Sequence, residues 1–345
     1  MNGQPPQPTR MFAEAGEAPG VVARQFVGNG PLIRELGARL RAEPPRGALT
    51  IARGSSDHAA TFAKYLIETQ ARILTASAAP SVTSVYAAPP DVRGMLAIPI
   101  SQSGKSPDIV AATAAARAAG ALTIALVNNV PSPLSEACDH VLPLHAGPEQ
   151  SVAATKSYIA SLAALLQLIA EWRGDESLKS ALDDLPALLE TAWQCDWSPL
   201  VEGLADATGL YVIGRGPGFG AAQEAALKFK ETCGLHAEAF SAAELRHGPM
   251  ALVGRGFPLL VFRQSDESGE GTDELVREVA ARGAKVFLAS RSASGAIELP
   301  CPQAHPLLEP LLQVQAFYRA VNALSVQRGF DPDRPPHLSK VTETL

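Results

Sequence analysis

The stretch Gly47-Ala-Leu-Thr-Ile-Ala-Arg53-Gly54 lines up with Gly209-Leu-Tyr-Val-Ile-Gly-Arg215-Gly216, 162 residues further along the chain. At the same offset Gln102-Ser103 falls on Gln264-Ser265, each pair just after an apolar run, Leu96 to Ile100 and Leu259 to Phe262. One residue out of step, Ala121-Leu-Thr-Ile-Ala-Leu matches Ala284-Lys-Val-Phe-Leu-Ala. Three apolar runs matched in one order mark a duplicated unit. The competing reading is a pair of Ala-rich domains that share only generic strand-then-Gly patterns.

Each copy alternates short apolar runs with longer helical stretches: 57–68, 107–119, 155–172, 220–232 and 272–282. That alternation predicts an α/β fold in which each copy is a parallel sheet flanked by helices, a flavodoxin/Rossmann-like three-layer sandwich. The expected domains are an N-terminal extension and lead-in helix (1–30), a first copy (31–175), connecting helices (176–200), a second copy (201–330) and a tail (331–345). Pro19 and Pro31 divide residues 11–42 into short helices in this reading, laid against the first copy. The tail has three prolines and few apolar side chains, so composition makes it a loose end.

Of the 345 residues, 46% are hydrophobic and 19% charged, and the net charge is −6. Clustered Lys and Arg are missing, which argues against nucleic acid as a partner. Cys138, Cys195, Cys233 and Cys301 are far apart with no metal spacing, so neither a disulfide framework nor a metal site is expected. The polar start has no apolar leader segment, and the longest apolar stretch, 158–170, is too short for a bilayer. A cytoplasmic chain without membrane contact fits these features.

Ligands of open α/β sheets bind at the carboxyl ends of the strands. In the first copy those ends carry Ser55-Ser56 and Ser101-Gln102-Ser103-Gly104-Lys105-Ser106-Pro107. Ser106 suits an N-cap, Pro107 the first helical position and Asp108 the first turn. A helix N-terminus facing several hydroxyls and Gly104 makes a site for a dianionic phosphate. The bland alternative is a turn with a capped helix; convergence of two serine loops weighs against it. The Walker lysine spacing is absent, so a nucleoside triphosphate is not indicated.

The second copy lacks that cradle, since its loop, Gln264-Ser265-Asp266-Glu267, is acidic. Its Gly214-Arg-Gly216-Pro-Gly218-Phe-Gly220 resembles a dinucleotide turn, but Phe219 replaces the third glycine and no suitable acidic residue follows. The next helix places Glu224, Lys228 and Glu231 at i, i+4 and i+7, on one face, and Gly234 suits its C-terminal stop. Alone, this stripe reads as a solvated, salt-bridged face. The segment from His236 to Pro249 adds His236, Glu238, Glu244 and His247, which raises proton transfer as the alternative.

Together these motifs resemble the tandem SIS (sugar isomerase) domain family, in particular the isomerase part of glutamine–fructose-6-phosphate aminotransferase and the SIS-type glucosamine-6-phosphate deaminases. The matching stretches are 53–56, 101–106, 149–156, 224–231, 236–249 and 338–342; with Glu14, in 11–19, the similarity runs over almost the whole chain. The resemblance implies that Ser55, Ser56, Ser101, Gln102, Ser103 and Ser106 hold a 6-phosphate, and that Gly54, Glu149, Val152, Ala153 and Thr155 bind the sugar. Glu231 would shuttle a proton between C1 and C2, with Glu224 and Lys228 positioning hydroxyls and tuning it. His247 would open the ring, contributed across a homodimer, and Lys340 would reach the site from the tail and could form a Schiff base.

The implied substrate is a phosphorylated amino sugar, glucosamine 6-phosphate first, deaminated and isomerised to fructose 6-phosphate and ammonia with no metal or redox cofactor. The alternatives are an isomerase or deglycase for another 6-phosphosugar (galactosamine 6-phosphate or fructosamine 6-phosphate), or a non-catalytic sugar-phosphate-binding regulator. Three residues depart from the family pattern: Arg53 in place of Cys, Lys105 in place of Glu, and His337 in place of Asn. The chain also starts without the aminotransferases' glutaminase domain, so it is not expected to draw ammonia from glutamine.

Overall fold

A computed structural model describes residues 8–289 and 295–340. Among the described residues ten strands form two five-stranded, wholly parallel sheets. The first holds β1 (Ala48–Ile51), β2 (Thr75–Ser77), β3 (Leu96–Ser101), β4 (Leu122–Val127) and β5 (His140–Pro143) in the order β2-β1-β3-β4-β5. The second holds β6 (Gly209–Gly214), β7 (His236–Ser241), β8 (Pro258–Phe262), β9 (Lys285–Ala289) and β10 (Ala296–Leu299), in the order β10-β9-β8-β6-β7. Read from β7, the second order is the first one repeated, which makes the duplication structural. The matched runs of the sequence are the pairs β1/β6, β3/β8 and β4/β9.

The central strands β1 and β3 are buried at every residue, as helices on both faces of a parallel sheet require. From β1 the chain moves outward to β2, then returns to the other side of β1 as β3. The crevice at the carboxyl ends of β1 and β3 is therefore the switch point where such sheets bind ligands, and both serine loops emerge there.

The lead-in differs from the sequence expectation. After helix Arg10–Gly16 comes one 25-residue helix, Ala18–Ala42, that contains both prolines. Pro19 sits in its first turn. Pro31 is exposed, on the face where Val27 is 82% exposed, so the carbonyl that loses its partner can bond to water. The opposite face buries Ile33, Leu36 and Leu40, and this helix packs on helix Lys156–Arg173. Packing thus outweighs the local cost of the proline.

The helix Glu309–Gln327, which the sequence reading does not single out, runs through the centre with Gln313, Gln315 and Phe317 all buried. One apolar core, from Ile98 and Leu126 to Val212 and Phe317, joins both copies. The tail is not loose over its described part. Asp333 accepts hydrogen bonds from the backbone N–H groups of Arg10 and Met11, at 2.8 and 2.7 Å, and Pro332 and Pro335 are buried. Val341 and Thr342, at the end of the tail motif, lie outside the described residues, as do residues 1–7 of the expected N-terminal extension.

The two copies touch where helix Gly218–Cys233 crosses helix Ser55–Leu66. The glycines that resembled a dinucleotide turn serve this crossing: a Cβ on Gly220 would stand 2.6 Å from the His58 carbonyl oxygen and 3.0 Å from the Phe62 nitrogen. Gly220→Ala is expected to lower stability by about 1–3 kcal/mol through this overlap, despite the better helix propensity of alanine. Urea unfolding of the two proteins measures the difference.

Candidate active site

A cavity of about 360 Å³ opens at the switch point of the first sheet. Its wall contains Gly54, Ser55 and Ser56 after β1, Ser101 at the end of β3 with Gln102, Ser103 and Ser106 beyond it, Val152, Glu231 from the second copy, and Lys340 from the tail. Arg53, Ile100, Ile109, Ala154, Leu338 and Ser339 complete it. The two serine loops, the proposed acid–base carboxylate and the tail lysine, read from four separate stretches of sequence, share this one space.

The loop after β3 is braced from within. The Gly104 N–H donates to Ser101 Oγ at 3.0 Å and the Lys105 N–H to Ser103 Oγ at 3.3 Å. Gly104 has φ 66°, and a Cβ there would strike Ser132 Oγ at 2.3 Å. Ser106 occupies the N-cap position of helix Pro107–Ala118, yet its side chain makes no capping bond, and the residue lines the cavity instead. Asp108 lies in the first turn, where its carboxylate accepts from Arg53 and from the Ile109 N–H.

The Glu224–Lys228–Glu231 stripe is not a solvated face. Glu224 and Lys228 have no exposed side-chain area, while Glu231 is 19% exposed. Lys228 Nζ stands 3.0 Å from Glu224 Oε1 and donates to Glu231 Oε2 at 2.8 Å and to Ser55 Oγ at 3.0 Å. Glu224 is also bonded by Ser55 Oγ at 3.2 Å, by His58 Nδ1 at 3.0 Å and by Tyr318 Oη at 3.0 Å. Residues of the first copy (Ser55, His58), the second copy (Glu224, Lys228, Glu231) and the central helix (Tyr318) thus form one network behind the cavity. Burial opposes a charge on Glu224, but Lys228 and His58 outweigh it and hold the carboxyl down at about 2. Burial likewise opposes the Lys228 ammonium, and Glu224 and Glu231 outweigh it, raising its pKa above the ordinary lysine value. Both groups therefore stay charged at neutral pH, and Lys228 acts as a fixed clamp on Glu231.

Several expected sugar-binding residues stand behind the wall instead. Glu149, Ala153 and Thr155 are buried, and the cavity surface there is Val152 and Ala154. The Glu149 carboxylate accepts from the Thr155 and Ser157 N–H groups, from Ser157 Oγ at 2.6 Å and from Lys340 Nζ at 3.3 Å. These bonds tie the loop to itself and to Lys340, which also donates to the Ser151 carbonyl at 2.7 Å. Glu14 in turn takes the N–H groups of Gln150 and Ser151.

His247 is exposed and does not line this chain's cavity. His236, Glu238 and Glu244 are exposed as well. None of the four lines the cavity: His236 and Glu238 share one exposed face of the edge strand β7, and Glu244 and His247 follow in the turn after it. Lys105 and His337 are exposed outside the lining, whereas Arg53 is part of it. Among the residues the sequence reading missed, His58 lay one helical turn from Ser55, a spacing that would have flagged it. Tyr318 carried no such signal.

In the second copy the corresponding loop is filled by the chain itself. Glu309 accepts from both the N–H and the hydroxyl of Ser265, each at 2.6 Å. An internal carboxylate sits where the first copy leaves space for a ligand.

The SIS domain family model matches residues 45–171 and 203–297. Glutamine–fructose-6-phosphate aminotransferase [isomerizing] of Zymomonas mobilis subsp. mobilis is 36% identical over 310 residues, covering 84% of this chain and 51% of that protein. This chain spans about half the length of the curated relatives it matches. Among solved structures, a protein of Silicibacter pomeroyi DSS-3 described as a phosphosugar isomerase superimposes with a TM-score of 0.90 at 42% identity, covering 94% of this chain and 100% of that one. The C-terminal domain of glucosamine-fructose-6-phosphate aminotransferase from Francisella tularensis gives 0.84 at 26% identity, over 94% and 98% of the two chains.

Proposed function

This chain belongs to the SIS domain family, and we propose that it deaminates and isomerises an amino-sugar phosphate, converting glucosamine 6-phosphate and water to fructose 6-phosphate and ammonia. The observation that carries this reading is the shared cavity: a serine cradle suited to a phosphate lies in one space with Glu231 and Lys340. The curated relatives couple amino transfer to isomerisation on fructose 6-phosphate, by their names, and the present chain matches about half of each.

In the open-chain amino sugar the C1 aldehyde acidifies the C2–H bond. Glu231 takes the C2 proton, the electron pair moves into a C1=C2 enolamine, and the aldehyde oxygen gains a proton. Return of the proton to C1 leaves a C2 imine; water adds there and ammonia departs, giving the ketose. Glu231 begins and ends as a carboxylate, and Lys228 fixes its orientation throughout. Lys340, bonded to Glu149 and Ser151 and lining the same cavity, would offer its amine to the open-chain carbonyl. Ring opening would fall to the partner subunit's His247 in a homodimer, since this residue does not line the cavity of its own chain.

Incubation with glucosamine 6-phosphate is expected to release ammonia and fructose 6-phosphate in equal amounts. Turnover confined to galactosamine 6-phosphate or fructosamine 6-phosphate would move the substrate within the class. Tight binding with no product from any of the three would replace the enzyme by a sugar-phosphate-binding regulator.

A further inference from the structure

We propose that Arg53 is a specificity-determining residue of this site, its guanidinium steered by Asp108 to contact the phosphate of a bound phosphosugar at the rim of the serine cradle. The inference rests on reading the serine loops as the phosphate subsite.

Arg53 lies two residues past the end of β1, just before Ser55-Ser56, and lines the cavity. Its Nε and one terminal nitrogen reach a single oxygen of Asp108, Oδ2, at 3.0 and 2.9 Å. The two partners differ sharply in exposure: the Asp108 side chain has none, while that of Arg53 is 49% exposed. A buried carboxylate in the first turn of helix Pro107–Ala118 therefore anchors one edge of the guanidinium of a residue that is half exposed and lines the cavity. That helix begins right after Ser106, so the anchored cation stands beside the hydroxyls of the cradle.

Charge balance points the same way. Among the residues lining the cavity, the cations are Arg53 and Lys340, and Lys340 is already bound by Glu149 and the Ser151 carbonyl. Lys105, within the loop itself, is exposed outside the lining. A dianion held by hydroxyls and N–H groups gains most from a planar guanidinium, which presents paired donors that a lysine does not. In the second copy an arginine at a different position, just after β8 and not the Arg215 that aligns with Arg53, makes a similar pairing beside an anion. There Arg263 is held by Asp273 through two bonds of 2.8 Å, and it shares a small cavity with the Glu309 carboxylate that Ser265 binds.

The test is calorimetric binding of fructose 6-phosphate, inorganic phosphate and unphosphorylated fructose to the full chain. Arg53→Gln is expected to weaken both phosphate ligands by about tenfold or more, the usual scale for a charge-assisted bond, with fructose unaffected. Arg53→Lys should recover only part of the loss. The double variant Arg53→Gln/Asp108→Asn removes both charges together and should stay as weak as the single one. Binding within twofold of wild type in Arg53→Gln would overturn the inference. So would full recovery in the double variant, which would reduce Arg53 to a neutraliser of Asp108. A wild-type chain that binds neither phosphate ligand overturns the phosphate reading itself, and the role of Arg53 with it.

Discussion

Replacing Lys228 by methionine is expected to cost about 3–5 kcal/mol of folding stability at pH 7, the usual penalty for breaking a buried ion pair from one side. The size follows from the site. Glu224 has no exposed side-chain area, so its carboxylate would keep only His58, Tyr318 and Ser55 as partners, with no water to replace the lost ammonium. Methionine matches the length and fills the space, which leaves lost charge as the cause and not a cavity. Turnover should fall with it, because the 2.8 Å bond that fixes Glu231 is gone.

The pH dependence carries a definite sign. A carboxyl held below its unfolded value contributes stability that is present above about 4.5 and lost as pH falls toward about 2. In the variant that depression is largely removed, and protonating Glu224 relieves its buried charge. The gap between wild type and variant, measured by urea unfolding, should therefore narrow from pH 7 to pH 4. A gap that stays constant, or one below about 1 kcal/mol at pH 7, would mean that the pair is not the buried clamp described here.

How much of this site was legible in the sequence depends on how local each cause is. The serine loops were legible because the signals are adjacent: an apolar run, serines, then Pro107 and Asp108 opening a helix. The duplication was legible because β1, β3 and β4 recur with their turns. The Glu224–Lys228–Glu231 stripe was visible as a face, but its burial was not. What covers it comes from helix Ser55–Leu66 and from Tyr318, 94 residues beyond Glu224. Residues 236–249 show the opposite failure, since strand β7 carries close sequence neighbours away from the cavity. The tail misled for a third reason. Its order comes from Asp333 bonding N–H groups 323 and 322 residues away, a cause invisible to composition. Pro31 likewise broke a helix on paper that a buried face keeps whole.

Those long-range causes make Glu231 the sharpest point of test, because it alone of the stripe reaches the cavity. Glu231→Gln keeps the side chain's size and can still accept from Lys228 through its amide oxygen, so the fold should hold to within about 0.5–1 kcal/mol. What it removes is the base. Catalysis by a positioned acid–base group contributes about 10²–10⁴-fold, and here a single carboxylate both takes the C2 proton and returns it to C1. Ammonia release from glucosamine 6-phosphate is therefore expected to fall by about 10³-fold or more, with KM for the sugar phosphate nearly unchanged because the serine cradle is intact. Exchange of the C2 hydrogen with deuterated water, followed by NMR, should vanish in parallel. Loss of turnover with exchange retained would place the missing step after proton transfer and move the base elsewhere. Retention of both would remove Glu231 from the mechanism altogether, leaving the Lys228 clamp as a structural bridge between the two copies.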